Sequence, residues 1–161
     1  MADWHSRARS RPVAPFIPRP LTAATLGNAL PRVQPEDPAA RLLLFGVRQL
    51  GAQGLNDAAT AHAFITAFGK GFRGPLLLLR ALMAEMSAAS AGPIQIAPWC
   101  CARMTASEGA LIEVIASIER DSERARLLLS DLLGIRRVDG VLATANALAN
   151  AFADAGMPVE V

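Results

Sequence analysis

A chain of 161 residues, 52% of them apolar, is long enough to bury one domain's core but shows no apolar run near the ~20 residues a membrane-spanning helix needs. Charged residues are 19% and aromatics 5%, with no tyrosine, and alanine and leucine dominate, which favours packed helices over sheets. The net charge of +2 is uneven: residues 1–35 hold Arg7, Arg9, Arg11, Arg19 and Arg32 against Asp3 alone, so a basic arm precedes a slightly acidic body.

In chain order, Pro12, Pro15, Pro18, Pro20, Pro31 and Pro35 make residues 1–37 an extended, proline-rich arm, with room for one short helix from Leu21 to Leu30. The helical domain is expected over 38–156, followed by a short tail, 157–161. Asp37 is placed to cap the first helix, with Pro38 at its first position. Leu43, Val47 and Leu50 form its apolar face, and Gly51 and Gly54 end it. Asn56 is the expected cap of a second helix with Ala61, Phe64, Ile65 and Phe68 inside, closed by Gly69 or Gly71.

Gly74-Pro75 opens a third, nearly all-apolar helix that ends before Gly92 and reads as central to a bundle. Pro93 to Pro98 is too short and proline-bounded for a helix. Thr105 and Glu108 then form a capping box, and Leu111, Val114, Ile115 and Ile118 are the buried face behind it. A break at Asp121 to Glu123 starts a fifth helix that ends on Gly134 as a left-handed cap. Asp139 is the expected cap of a last helix with Val141, Ala145, Leu148 and Phe152 inside. The predicted fold is all-α, a compact bundle of about five to six helices behind the basic arm.

The most unusual chemistry lies in Pro98-Trp99-Cys100-Cys101-Ala102-Arg103. Adjacent cysteines do not readily bridge each other, because a relaxed disulfide needs more distant α-carbons than a trans peptide gives. As metal ligands they make half of a soft site for zinc or iron. His62 would be a third ligand, and Asp57 or Glu85 a fourth. A helix N-terminus and Arg103 favour the thiolate, whereas burial under the loop favours inert packing; the sequence favours packing, since no general base stands nearby. His62 reads as a partly buried histidine, and Glu85, if buried, needs Arg41, Arg48 or His62 as partner. No phosphate-binding glycine loop, nucleophile elbow or His-Glu metal helix is present, and no catalytic residue is assigned.

Gly54-Leu55-Asn56-Asp57, the run Phe72 to Glu85 and the loop Trp99 to Thr105 together resemble an uncharacterised alphaproteobacterial family of small helical proteins of unknown function. The resemblance covers about residues 38–135 and implies a small helical bacterial protein without implying an activity. Lys70 as the sole lysine fits the same arginine-rich bacterial composition. Two cysteines without a secretory signal point to a reducing cytoplasm.

The reading that follows is a non-enzymatic cytoplasmic protein acting through protein–protein contact, with a protein partner or a second copy. Arg7, Arg9, Arg11, Arg19, Trp99 and Arg103 are the candidate interaction residues. The alternatives are a thiol or metal sensor at Cys100, Cys101 and His62, and nonspecific nucleic-acid binding by the arm.

Overall fold

A computed structural model describes residues 32–161. The described residues form β1 (Arg32–Val33), α1 (Pro38–Gln53), α2 (Ala58–Phe68), a 3-10 turn (Gly69–Gly71), α3 (Arg73–Ala89), β2 (Arg103–Met104), α4 (Ala106–Ser117), α5 (Ser122–Leu133) and α6 (Asp139–Asp154). Helices make the fold. The two strands add one short antiparallel ladder, with Arg32 opposite Met104 and Val33 opposite Arg103.

Local chemistry sets most of the boundaries. The Asp37 carboxylate accepts the Ala40 N–H at 2.7 Å with Pro38 in the first turn, so α1 starts where the sequence places it. Gly51 stays inside α1, and Gly54 is the cap that ends it. For α2 the capping residue is Asp57 and not Asn56. Asp57 accepts the Thr60 N–H at 2.6 Å and the Thr60 hydroxyl at 2.8 Å, while Asn56 lies in the preceding turn. The Thr60 N–H, more than any other partner, holds the Asp57 carboxyl below its ordinary pKa.

At α4 both halves of the Thr105–Glu108 capping box are formed. Gly134 ends α5 in the left-handed conformation, with φ 66°, as a Schellman-type stop requires. Asp139, in contrast, is the first residue of α6 and does not cap it. Its carboxylate is drawn away to the Arg126 guanidinium on α5, and Val138 holds the cap position without a side-chain bond. The pairing with Arg126 holds the Asp139 carboxyl below its usual pKa.

Packing follows the apolar faces. α4 lies along α5, α3 along α6, and α1 touches α2, α3 and α4. Leu43 and Val47 of α1, Leu79 and Leu82 of α3, Val114 of α4, Leu129 of α5 and Leu148 of α6 meet in one core. Phe64, Phe68 and Phe152 stack edge to face, with centroids 5.0 to 5.9 Å apart, and join α2 to α6.

Two helices are less buried than expected. α2 buries Thr60 and Phe64 and leaves Ile65 exposed, because its contacts lie on one side only. α3 turns Leu76, Leu79, Leu82 and Met86 inward but leaves Leu77 exposed, so it is an amphipathic wall of the bundle.

Contacts with the body also run past both expected borders of the helical domain. Residues 32–36, assigned to the arm, are tied to the body by β1 and by the Gln34 N–H to the Ala102 carbonyl at 3.4 Å. Arg32 also reaches Glu113 at 3.6 Å; Glu113 is paired with Arg124 on α5 as well, and that bond holds its carboxyl below the ordinary range. At the other end, Val159 of the expected tail is buried and Met157 packs on the core.

Candidate functional site

The residues between α3 and α4 hold the chemistry singled out in the sequence, and what positions them is an ion pair beneath. Arg48 lies one helical turn after Leu44 on the inward face of α1 and is 2% exposed. Glu108, in the first turn of α4, is also 2% exposed. Their side chains meet as a fork, Nε to Oε1 at 2.8 Å and Nη2 to Oε2 at 3.0 Å.

Both partners then turn to the loop. Arg48 Nη1 donates to the Cys101 carbonyl at 2.8 Å, and Nη2 to the Arg103 carbonyl at 2.7 Å. Glu108 Oε1 accepts the Ala97 N–H at 2.9 Å, and Oε2 accepts the Thr105 N–H at 2.8 Å. Each carboxylate oxygen thus takes two hydrogen bonds, which uses its acceptor capacity in full. Gln34 Nε2 adds a second donor to the Cys101 carbonyl at 2.5 Å, and the Thr105 hydroxyl donates to the Gln95 carbonyl at 2.8 Å.

A segment with little regular structure must place its buried backbone polar groups somewhere. Here four of them end on one charge pair. The arrangement is a clamp: it fixes the course of residues 95–105, of which only Arg103–Met104 lie in a strand. Sequence reasoning missed it. Glu108 was legible only as a capping-box residue, and Arg48 only as one of several partners for Glu85. The available signal was an arginine on the apolar face of α1, which has to find a buried carboxylate.

Above the clamp the chain turns at Pro98–Cys101, closed by the Cys101 N–H to the Pro98 carbonyl at 3.0 Å. Trp99 and Cys100 are its central residues. Trp99 is 64% exposed, and Cys100 is exposed as well; Cys101 is half-buried, and both thiols are free. The expectation that the cysteines pack beneath a loop therefore does not hold for Cys100, because the turn lifts it outward. Arg103, in β2, is exposed and its carbonyl is held by Arg48. Its ladder partner Val33 is 69% exposed, so an apolar side chain flanks the same edge.

His62 does not join the cysteines. It is exposed on α2, and its own carbonyl accepts the Thr66 hydroxyl at 2.9 Å. Among the described residues no group of three or more His, Cys, Asp and Glu side chains comes together as a metal site. Asp57 is engaged as the α2 cap, and Glu85 accepts the Thr144 hydroxyl of α6 at 3.0 Å, in place of the arginine or histidine expected for it. Arg7, Arg9, Arg11 and Arg19, and the short helix expected at Leu21 to Leu30, lie outside the described residues.

Beside the clamp a groove of about 580 Å³ opens between α1, α3 and residues 92–96. Leu50, Met83, Met86 and Ile96 make its apolar lining, and Glu108 is the single charged residue on its wall. Ile96 packs so tightly on α1 that its side chain takes the space a Cβ at Gly51 would need. No described helix is long and apolar enough to cross a membrane.

Residues 22–152 match the family described as Family of unknown function (DUF6628). The match reaches further at both ends than the resemblance seen at 38–135, and it includes ten residues ahead of β1. No curated protein and no solved structure matches the chain.

Proposed function

The chain belongs to this family of unknown function, and from that premise we propose that it acts by protein–protein contact through the Trp99 turn. The observation that carries the reading is an exposed tryptophan on a loop clamped from below by a buried ion pair. Tryptophan and arginine are the residues in which binding energy concentrates, and a loop already ordered loses little entropy when a partner closes over it. Trp99 would be the anchor, with Arg103 and Val33 on its rim. Arg7, Arg9, Arg11 and Arg19 would widen the contact toward an acidic partner surface. Alanine-rich, arginine-for-lysine composition supports a bacterial source, and two free thiols support a reducing cytoplasm.

The test is photo-crosslinking in the native cell with benzoylphenylalanine at position 99, compared with position 127. Leu127 is 69% exposed on α5, so it controls for apolar exposure alone. A discrete adduct from 99 and none from 127 is the expected result. No adduct from 99, or the same adducts from both, would sink the reading.

The exposure of Cys100 supports a second reading, a thiol switch. It expects Cys100 to be alkylated by iodoacetamide at neutral pH much faster than free cysteine is. Alkylation no faster than that of the free amino acid removes it.

A further inference from the structure

We infer that Cys100 and Cys101 together hold a monovalent copper ion between their two sulfurs. The first argument is the donor count. Structural zinc sites take four ligands, yet among the described residues no third His, Cys, Asp or Glu joins the two cysteines. Asp57 is spent as the α2 cap and Glu85 on Thr144. Two thiolates alone are the donor set that a soft, closed-shell monovalent ion takes in linear coordination.

The second argument is reach. No described peptide bond is cis, so the two α-carbons stand about 3.8 Å apart. A disulfide would have to bring the sulfurs to about 2.05 Å, which the planar peptide between adjacent residues resists. A metal bridge sets them about 4.6 Å apart, taking about 2.3 Å for each metal–thiolate bond. Rotation about χ1 on each neighbour spans that distance with the peptide left planar.

The third argument is that the main chain is pinned where a disulfide would have to move it. The Cys101 N–H is on the Pro98 carbonyl at 3.0 Å. The Cys101 carbonyl accepts Arg48 Nη1 at 2.8 Å and Gln34 Nε2 at 2.5 Å. The clamp thus keeps the pair as two separate thiols, while the turn leaves Cys100 exposed and Cys101 half-buried, open to copper passed from a carrier. Two S–H protons go to the buffer as two Cu–S bonds form; the copper stays monovalent, and no oxidant enters. The inference needs neither a partner at Trp99 nor a fast-reacting Cys100.

Its test is an anaerobic titration of the reduced full chain against monovalent copper held by bicinchoninate, whose colour fades as copper leaves it. One copper per chain is expected to pass to the protein, with X-ray absorption showing two sulfur neighbours and no nitrogen. Cys100→Ser and Cys101→Ser should each abolish the transfer, with unchanged urea midpoints showing that the fold is intact. No transfer to the parent, transfer retained by either variant, or a nitrogen neighbour would overturn the inference. So would one copper per two chains, which would make the cysteines a bridge between copies. Alkylation rates on the metal-free chain test the thiol switch separately, so the two ideas can fail apart.

Discussion

Arg48 and Glu108 gather six hydrogen bonds, two to each other and four to the loop backbone, onto two side chains that are almost wholly out of water, and this makes them unlike any surface pair. Desolvating both charges is costly, so their value lies in fixing one loop course and not in net attraction. Removing one partner strands the other: Glu108→Leu leaves a buried guanidinium and orphans the Ala97 and Thr105 N–H groups. A loss of about 3–5 kcal/mol is expected, read from urea denaturation. Arg48→Met/Glu108→Leu should cost clearly less than the two single losses combined, because no lone charge remains. Additive losses would show that the clamp is not a coupled unit.

Asp57 gives a second residue-scale prediction. Asp57→Ala should cost about 1 kcal/mol, whereas Asn56→Ala should be near neutral, since only Asp57 caps α2. The Asp57 carboxyl is held low in the folded state, so its contribution is present above the ordinary carboxylate pKa and fades as pH falls through the depressed value. Asp57→Asn keeps a capping oxygen without the titration. It should match the parent at neutral pH and lose less stability on acidification.

Helix faces and caps are local properties, and that is why α1, α4 and α5 were legible. Asp37-Pro38, Thr105 to Glu108 and Gly134 each announce a boundary within a few residues. The two exceptions have different causes, one tertiary and one local. Asp139 is diverted by Arg126 from another helix, and Asn56 is outcompeted by a carboxylate one residue later. The β1–β2 ladder had no legible signal, because two residues cannot show alternation. The clamp was illegible for a related reason: Arg48 and Glu108 are 60 residues apart, and neither has a local motif pointing at the other. What stood out in the sequence was the unusual composition of residues 98–105. It could not show that Cys100 would face outward.

Close helix approach gives a prediction at this scale. A Cβ at Gly46 would stand 2.6 Å from Leu79 Cδ2 and 3.2 Å from Phe64, so Gly46→Ala wedges α1 from α2 and α3. It should lose about 1–3 kcal/mol. Gly74, in the first turn of α3, has nothing within 4 Å of its Cβ position, and Gly74→Ala should gain a few tenths to about 1 kcal/mol. Equal thermal midpoints for the two variants would show that the approach at Gly46 is not limiting.

At the scale of the molecule, the two ends of the described chain close on one residue. Asp37 Oδ2 caps α1 and also accepts the Glu160 N–H at 3.2 Å, while Val159 beside it is buried and Met157 packs on the core. After α6 the chain reverses, with the Met157 N–H on the Phe152 carbonyl at 2.9 Å, and runs back to the start of α1. Residues 157–161 therefore pack as a lid on the core through Met157 and Val159. Deleting them should expose Met157 and Val159 contacts and cost roughly 2–4 kcal/mol, on the scale of burying one to two such side chains. The loss should appear as a lower urea midpoint in a single cooperative transition, since the lid touches the same core as every helix. Asp37→Ala in the full chain should lose the α1 cap and the Glu160 bond together, and then be less affected by the deletion than the parent is. An unchanged midpoint after deletion would mean that the closure at Asp37 contributes no stability, and that α1 is held by its helical neighbours alone.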